Sequence, residues 1–163
     1  MKIFTILFTS LSMFLTTEAT SLMYYAQTDI NTTEQAPILD PELSVFAHLM
    51  VEAGIGDLFK GTGPFTGFIP TNEAFDKLGP QKLRELSQPK NKDRLAEILM
   101  YHIVPGKYLA KNLKTDRLRT INGNYLNINV QNGEITVNGA KVVKPDVIGP
   151  NGAIQEINAV LLP

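Results

Sequence analysis

Two histidines and no cysteine define the reactive inventory of this 163-residue chain. His102 follows Tyr101 directly and precedes the turn Pro105-Gly106 in "MYHIVPGKY". An imidazole beside a phenol could serve general acid–base chemistry, given a proton donor, a pocket and a third orienting group. The chain supplies no second histidine on that face and no G-x-S-x-G elbow for a nucleophile. His48 lies four residues after Ser44, the spacing at which two helical side chains meet, but no orienting group completes a nucleophile–base pair. Gly61, Gly63 and Gly67 are wrongly spaced for a phosphate loop and precede a strand where such a loop would follow one. Two isolated histidines also make no ligand cluster. The residues therefore predict no catalytic set, no metal site and no cofactor.

The elements that carry these residues follow from periodicity. Asp40 is a helix N-cap, Pro41 suits the first helical position, and Gly54 ends the helix. Val45, Phe46, Leu49, Met50 and Ala53 form its apolar stripe, with Ser44, His48 and Glu52 on the other side. Phe65 to Ile69 reads as a short strand stopped by Pro70, and Thr71 caps a helix carrying Ala74, Phe75 and Leu78. "PQKLREL" gives another short helix. In "NKDRLAEILMYHIVPG", Leu95, Ile98, Leu99 and His102 share one face, with Tyr101 at its flank. A neutral imidazole in that position is desolvated, so each ring nitrogen needs a partner. The reading is a core histidine that pins the helix end to the sheet; a place on a ligand-binding rim is the lesser alternative.

Beyond Tyr108 the texture changes. Asn-Gly pairs at Asn122, Asn132, Asn138 and Asn151 punctuate short β-rich runs, and this dipeptide is the strongest short-range hairpin signal. Leu126, Ile128 and Val130 alternate with Asn127 and Asn129, as expected for an antiparallel meander with one wet face. Helices followed by strands predict an α+β domain with the helices on one side or end of the sheet.

The N-terminus reads as a secretory signal peptide, residues 1–19: Met1-Lys2, an apolar run from Ile3 to Leu15, and a small-x-small site at Thr17-Glu18-Ala19. Residues 20–35 are polar and aperiodic, a flexible linker with a glycosylation sequon at Asn31-Thr32-Thr33. Residues 36–163 are expected to form one domain. No transmembrane segment is expected once the signal is removed, and neither a lipidated cysteine nor a lipid-anchor tail is indicated. With 15 basic and 16 acidic residues the net charge is −1, which gives a phosphate backbone no basic field and argues against nucleic acid as a partner.

Three stretches, "FTGFIPTNEAFDKL", "ILMYHIVPGKY" and "NGAIQEINAVLLP", stand in the order and at the separations of the conserved blocks of the fasciclin-like domain, and the resemblance spans roughly Ala36 to Pro163. It implies a wedge-shaped β-sandwich with a cluster of helices packed on one side. It also implies a secreted or periplasmic protein at the cell surface that mediates adhesion to a cell-surface or matrix protein or polysaccharide; the sequence leaves the oligomeric state open, with a monomer as the default. By this likeness Thr71, Tyr101 and His102 are the candidate binding residues, with the histidine bonding across to the first block. Some algal relatives bind carotenoids, so a carrier of an apolar lipid or carotenoid-like molecule, held between helices and sheet, is the alternative. Gly67 replaces a larger apolar residue and should weaken its strand or admit a close backbone approach. Gln155 and Asn158 replace a common His and Asp, so any charged contact there should be lost.

Overall fold

Pro41 and the Asp40 carboxylate, which accepts the Glu42 N–H at 3.0 Å, start a 3₁₀ turn over Pro41–Leu43 that runs into helix α1, Ser44–Glu52. The computed structural model describes residues 40–149 and 151–163. The chain divides into two units, Met1–Gln35 and Ala36–Pro163, and the described residues all belong to the second. The expected signal peptide, linker and Asn31 sequon lie outside the described residues.

Helix α1 buries Phe46, Leu49 and Met50, flanked by buried Leu43 and Ala53, and ends at Gly54 with φ 74°. Val45, expected on the stripe, is only half-buried. A 3₁₀ turn, Gly56–Lys60, leads to strand β1, Phe65–Pro70. Helices α2 (Asn72–Leu78), α3 (Pro80–Leu86) and α4 (Lys92–Tyr101) follow. The remaining strands are β2 (Ile103–Pro105), β3 (Asp116–Arg119), β4 (Tyr125–Gln131), β5 (Glu134–Val137), β6 (Ala140–Gly149) and β7 (Gly152–Ile157).

The strand order is β2-β1-β7-β6-β5-β4-β3. Strands β3 to β7 form the expected antiparallel meander. Strand β1, however, enters between β2 and β7 and pairs parallel to β7, from Phe65 opposite Gly152 to Pro70 opposite Ile157. Its apolar run is explained by burial on both faces. Ile69 of β1, Ile103 of β2 and Ile154 of β7 face a core shared with the helices, including Phe46, Leu95 and Leu99. Phe68, Val104 and Ile157 face a second core against Leu126, Ile128, Ile135 and Val137 of β4 and β5. The sheet can face itself because β6 is bulged around Lys144, with Asp146 at φ 57°. The result is the expected α+β sandwich with helices on one side, and the wet face runs over β3, β4 and β5 and on to exposed residues of β6 such as Lys141 and Val143.

Two Asn-Gly pairs behave as expected. Asn132-Gly133 and Asn138-Gly139 have positive φ at both residues and close two-residue loops, the type I′ geometry. Asn122-Gly123 sits in a longer loop. Asn151-Gly152 departs from expectation, because Gly152 is already in β7 opposite Gly149. A Cβ at Gly152 would lie 1.7 Å from the Phe65 carbonyl oxygen, so the parallel pairing requires glycine there. Gly67 admits no close backbone; the Ile69 side chain folds over it, and a Cβ would meet Ile69 Cδ1 at 2.8 Å.

Candidate functional site

Helix α4 tightens in its last turn, the His102 N–H turning to Leu99 O at 3.1 Å. The His102 ring, fully buried, takes up the Ile98 carbonyl, with Nδ1 at 2.7 Å. Nε2 accepts the Leu161 N–H at 3.0 Å. A carbonyl only accepts and an amide N–H only donates, so these partners fix the neutral tautomer with the proton on Nδ1. Burial pushes its pKa down to about 4, against a smaller upward pull from the Ile98 carbonyl. Phe46 meets the ring edge-on at 5.6 Å between centroids. The expectation that the histidine bonds across to the first block holds for its main chain only, and the ring ties α4 to the C-terminal tail. It is the His102 main-chain carbonyl that accepts from Phe68 N–H of β1, at 2.8 Å.

Tyr101 is equally committed. Its hydroxyl donates to Tyr125 O at 3.0 Å and accepts from Asn138 Nδ2 at 2.8 Å, while Asn138 Oδ1 accepts the Asn127 N–H at 2.8 Å. Thr71 caps α2 through its Oγ1, which accepts the Ala74 N–H at 3.2 Å, and its own N–H donates to Ile157 O at 3.1 Å. Thr71, Tyr101 and His102 share no hydrogen-bond partner. Each closes a different seam, and a neutral, solvent-inaccessible imidazole has no route for proton exchange with a substrate.

Ser44 and His48 each have a partner elsewhere. The Ser44 hydroxyl accepts from Asn72 Nδ2 at 3.0 Å, and His48 Nε2 lies 3.0 Å from Glu52 Oε1. Asn72 gave no sign of its role in the sequence. Its Oδ1 also accepts the Val45 N–H at 3.0 Å, so it caps α1 from 27 positions away, and a partner that distant leaves no local signature.

At position 155 the charged contact is kept in another form. Gln155 Nε2 donates to Asp146 Oδ1 at 2.8 Å and to Tyr108 O at 3.1 Å, and its Oε1 accepts the Asp146 N–H at 3.1 Å. Asp146 Oδ1 also accepts the Ala110 N–H at 2.8 Å, which holds the strained bulge in place. At position 158, Asn158 Oδ1 accepts the Lys141 N–H at 2.9 Å. Next to this network Lys144 pairs with Asp40 and lies 3.3 Å from buried Glu156. The lysine holds the Asp40 carboxyl below its usual range, whereas burial raises that of Glu156.

Solvent meets a different part of the chain. Tyr125, Asn127, Asn129 and Gln131 point outward from β4, and Leu126 and Ile128 point inward. The guanidinium of Arg117 lies 5.3 Å from the centre of the half-exposed Tyr125 ring. Asn129, Gln131, Asn132, Glu134 and Thr136 line a shallow groove of about 270 Å³. A wider groove of about 580 Å³ between α3, α4 and the C-terminal tail is lined by Lys82, Asp93, Arg94, Glu97 and the apolar Leu86 and Leu162. The apolar space beside Phe59, Phe65 and Ile154 measures about 20 Å³, room for about one water. No group of three metal-ligating side chains occurs among the described residues, and no helix there is long and apolar enough to cross a membrane.

Residues 41–163 match the family model described as the fasciclin domain. The chain belongs to the fasciclin domain family. It is 35% identical over 149 residues to protein sll1483 of Synechocystis sp., a match that covers 91% of this chain and 83% of that one. It is 30% identical over 127 residues to periostin of Homo sapiens, covering 76% of this chain and 15% of periostin. Among solved structures, a FAS1 domain pair from the insect cell adhesion molecule fasciclin I superposes with a TM-score of 0.67 at 23% identity, over 77% of this chain and 48% of that one. The fasciclin fold, a sandwich with its helices on one side, is therefore the fold of this chain, and one domain of it accounts for the matched residues.

Proposed function

We propose that this fasciclin domain is a secreted, non-catalytic adhesion module that binds a cell-surface or extracellular-matrix component. The observation that carries the proposal is the inward commitment of its reactive groups. Both nitrogens of His102, the Tyr101 hydroxyl and the Thr71 hydroxyl are occupied by the fold, so a partner meets other, outward-facing side chains, among them those of the polar outer strands. Its likeness to a domain pair of a cell adhesion molecule supports the same reading. Residues 1–19 act here as the export signal and 20–35 as the linker to the domain. A carrier role draws no support from the apolar space beside Phe59 and Phe65, which is too small for a lipid or carotenoid.

The test is binding of the purified protein to surface and matrix fractions of its host. Saturable binding that survives washing is expected. Absence of saturable binding to every fraction overturns the adhesion assignment, and a stoichiometric apolar molecule extracted from native protein would put the carrier in its place.

A further inference from the structure

We propose that the outer face of β3, β4 and β5 is a binding surface for an anionic polysaccharide. This rests on the adhesion reading and names its surface and ligand class. Strand register assembles the face: Arg119 lies opposite Tyr125, Arg117 opposite Asn127, Thr136 opposite Asn129, and Glu134 opposite Gln131. The buried alternates Leu126, Ile128, Ile135 and Val137 fix which side turns outward, so the display is rigid.

Its chemistry is selective. Tyr125, 51% exposed, gives the face its aromatic ring, and no apolar centre surrounds it of the kind that anchors protein partners. A sugar ring presents C–H groups on its flat faces, which suit an aromatic platform, and hydroxyls at its rim. The hydroxyls suit amides, each of which offers two donors and an acceptor. The side chains of Asn127, Gln131 and Asn132 make no hydrogen bond to the described residues, and that of Asn129 has only Thr115 at 3.5 Å. Strand β4 runs about 20 Å, and the groove of about 270 Å³ continues the strip at one end. A long shallow strip fits an extended chain better than a compact ligand.

Charge completes the assignment. Lys141 is paired with Glu134 at 3.1 Å, but neither Arg117 nor Arg119 forms an ion pair among the described residues. Contact with the Tyr125 ring holds the Arg117 guanidinium against the sheet and lowers the entropy cost of ordering it on binding. Two unneutralised guanidiniums beside a sugar platform call for carboxylate or sulfate.

The test uses the purified full chain on immobilised polygalacturonate and dextran sulfate, with neutral dextran as control. Saturable binding to at least one anionic polymer, weakening with ionic strength, is expected. Arg117→Ala with Arg119→Ala, and Tyr125→Ala separately, should each weaken it about tenfold or more, about 1.4 kcal/mol, with an unchanged melting temperature. Tyr125→Ala keeps the main-chain carbonyl that Tyr101 uses. Arg94→Ala, on the helical side, should bind like the parent. No binding to either polymer, or equal binding by parent and double variant, overturns the proposal. Host-fraction binding in parallel separates the two ideas. If fractions bind the parent and the double variant alike and soluble polymer does not compete, adhesion stands and this face is the wrong surface. If the polymers bind as expected and no fraction does, this face stands and adhesion falls.

Discussion

His102 has no hydrogen-bonding capacity left over, and the Leu161 N–H it satisfies is buried with it. His102→Ala would orphan that N–H and the Ile98 carbonyl and open a cavity beside Phe46, so a loss of about 3 kcal/mol or more is expected in urea titrations. A variant as stable as the parent would refute the structural role. The same burial makes a pH prediction. The unfolded chain takes up a proton on this histidine near 6.5, and the fold resists until about 4. Between those values the unfolded state holds more protons, so stability falls as pH drops through the window, by about 3 kcal/mol at most. Glu156 opposes this, because burial raises its pKa and makes the folded state the better proton binder. The stability difference between parent and His102→Gln at pH 7 and pH 4.5 isolates the histidine: the parent should lose more. The need for two ring partners was legible from the helix face carrying Leu95, Ile98 and Leu99. The identity of Leu161 was not, since it lies 59 residues further on.

Turn chemistry and strand pairing separate at the level of elements. Asn132 and Asn138 sit in equivalent type I′ turns, but only the Asn138 side chain reaches Tyr101 and the Asn127 N–H. Replacing either with Ala carries the same left-handed backbone penalty, so Asn138→Ala should cost about 1–3 kcal/mol more than Asn132→Ala. Equal costs in urea titrations would mean that the Asn138 bridge contributes nothing. At Gly152 the constraint is steric: a methyl group 1.7 Å from the Phe65 carbonyl cannot be accommodated without separating β1 from β7. Gly152→Ala should therefore lower the melting temperature far more than Gly133→Ala, where nothing lies within 4 Å of the added Cβ. The turns at Asn132 and Asn138 were legible because that dipeptide chooses its own geometry. The partner of β1 was not, because an apolar run such as "FTGFIP" announces burial on two faces without saying which strand lies alongside or in which direction.

For the whole molecule, the decisive feature is that two cores share the strands β1, β2 and β7. Ile69 and Ile103 serve the helical core while Phe68 and Val104, their chain neighbours, serve the sandwich core. Neither core can come apart without exposing one face of the same strands, so the domain should unfold as a single cooperative unit. There is no tryptophan, and the described tyrosines, Tyr101, Tyr108 and Tyr125, all lie on the sandwich side, so their fluorescence reports chiefly on that core. Far-UV circular dichroism at helical wavelengths reports on α1 to α4. The two signals should trace coincident urea transitions. Leu99→Ala in one core and Leu126→Ala in the other should each shift both signals together, by about 3 kcal/mol, with little change in slope. Separate transitions, or a variant that moves one signal alone, would show that the helices are a detachable layer. Cooperativity also bears on the proposed ligand face. Its outward residues ride on strands whose inward residues belong to the shared core, so exposed substitutions at Arg117, Arg119 and Tyr125 should change binding and leave this transition where it is.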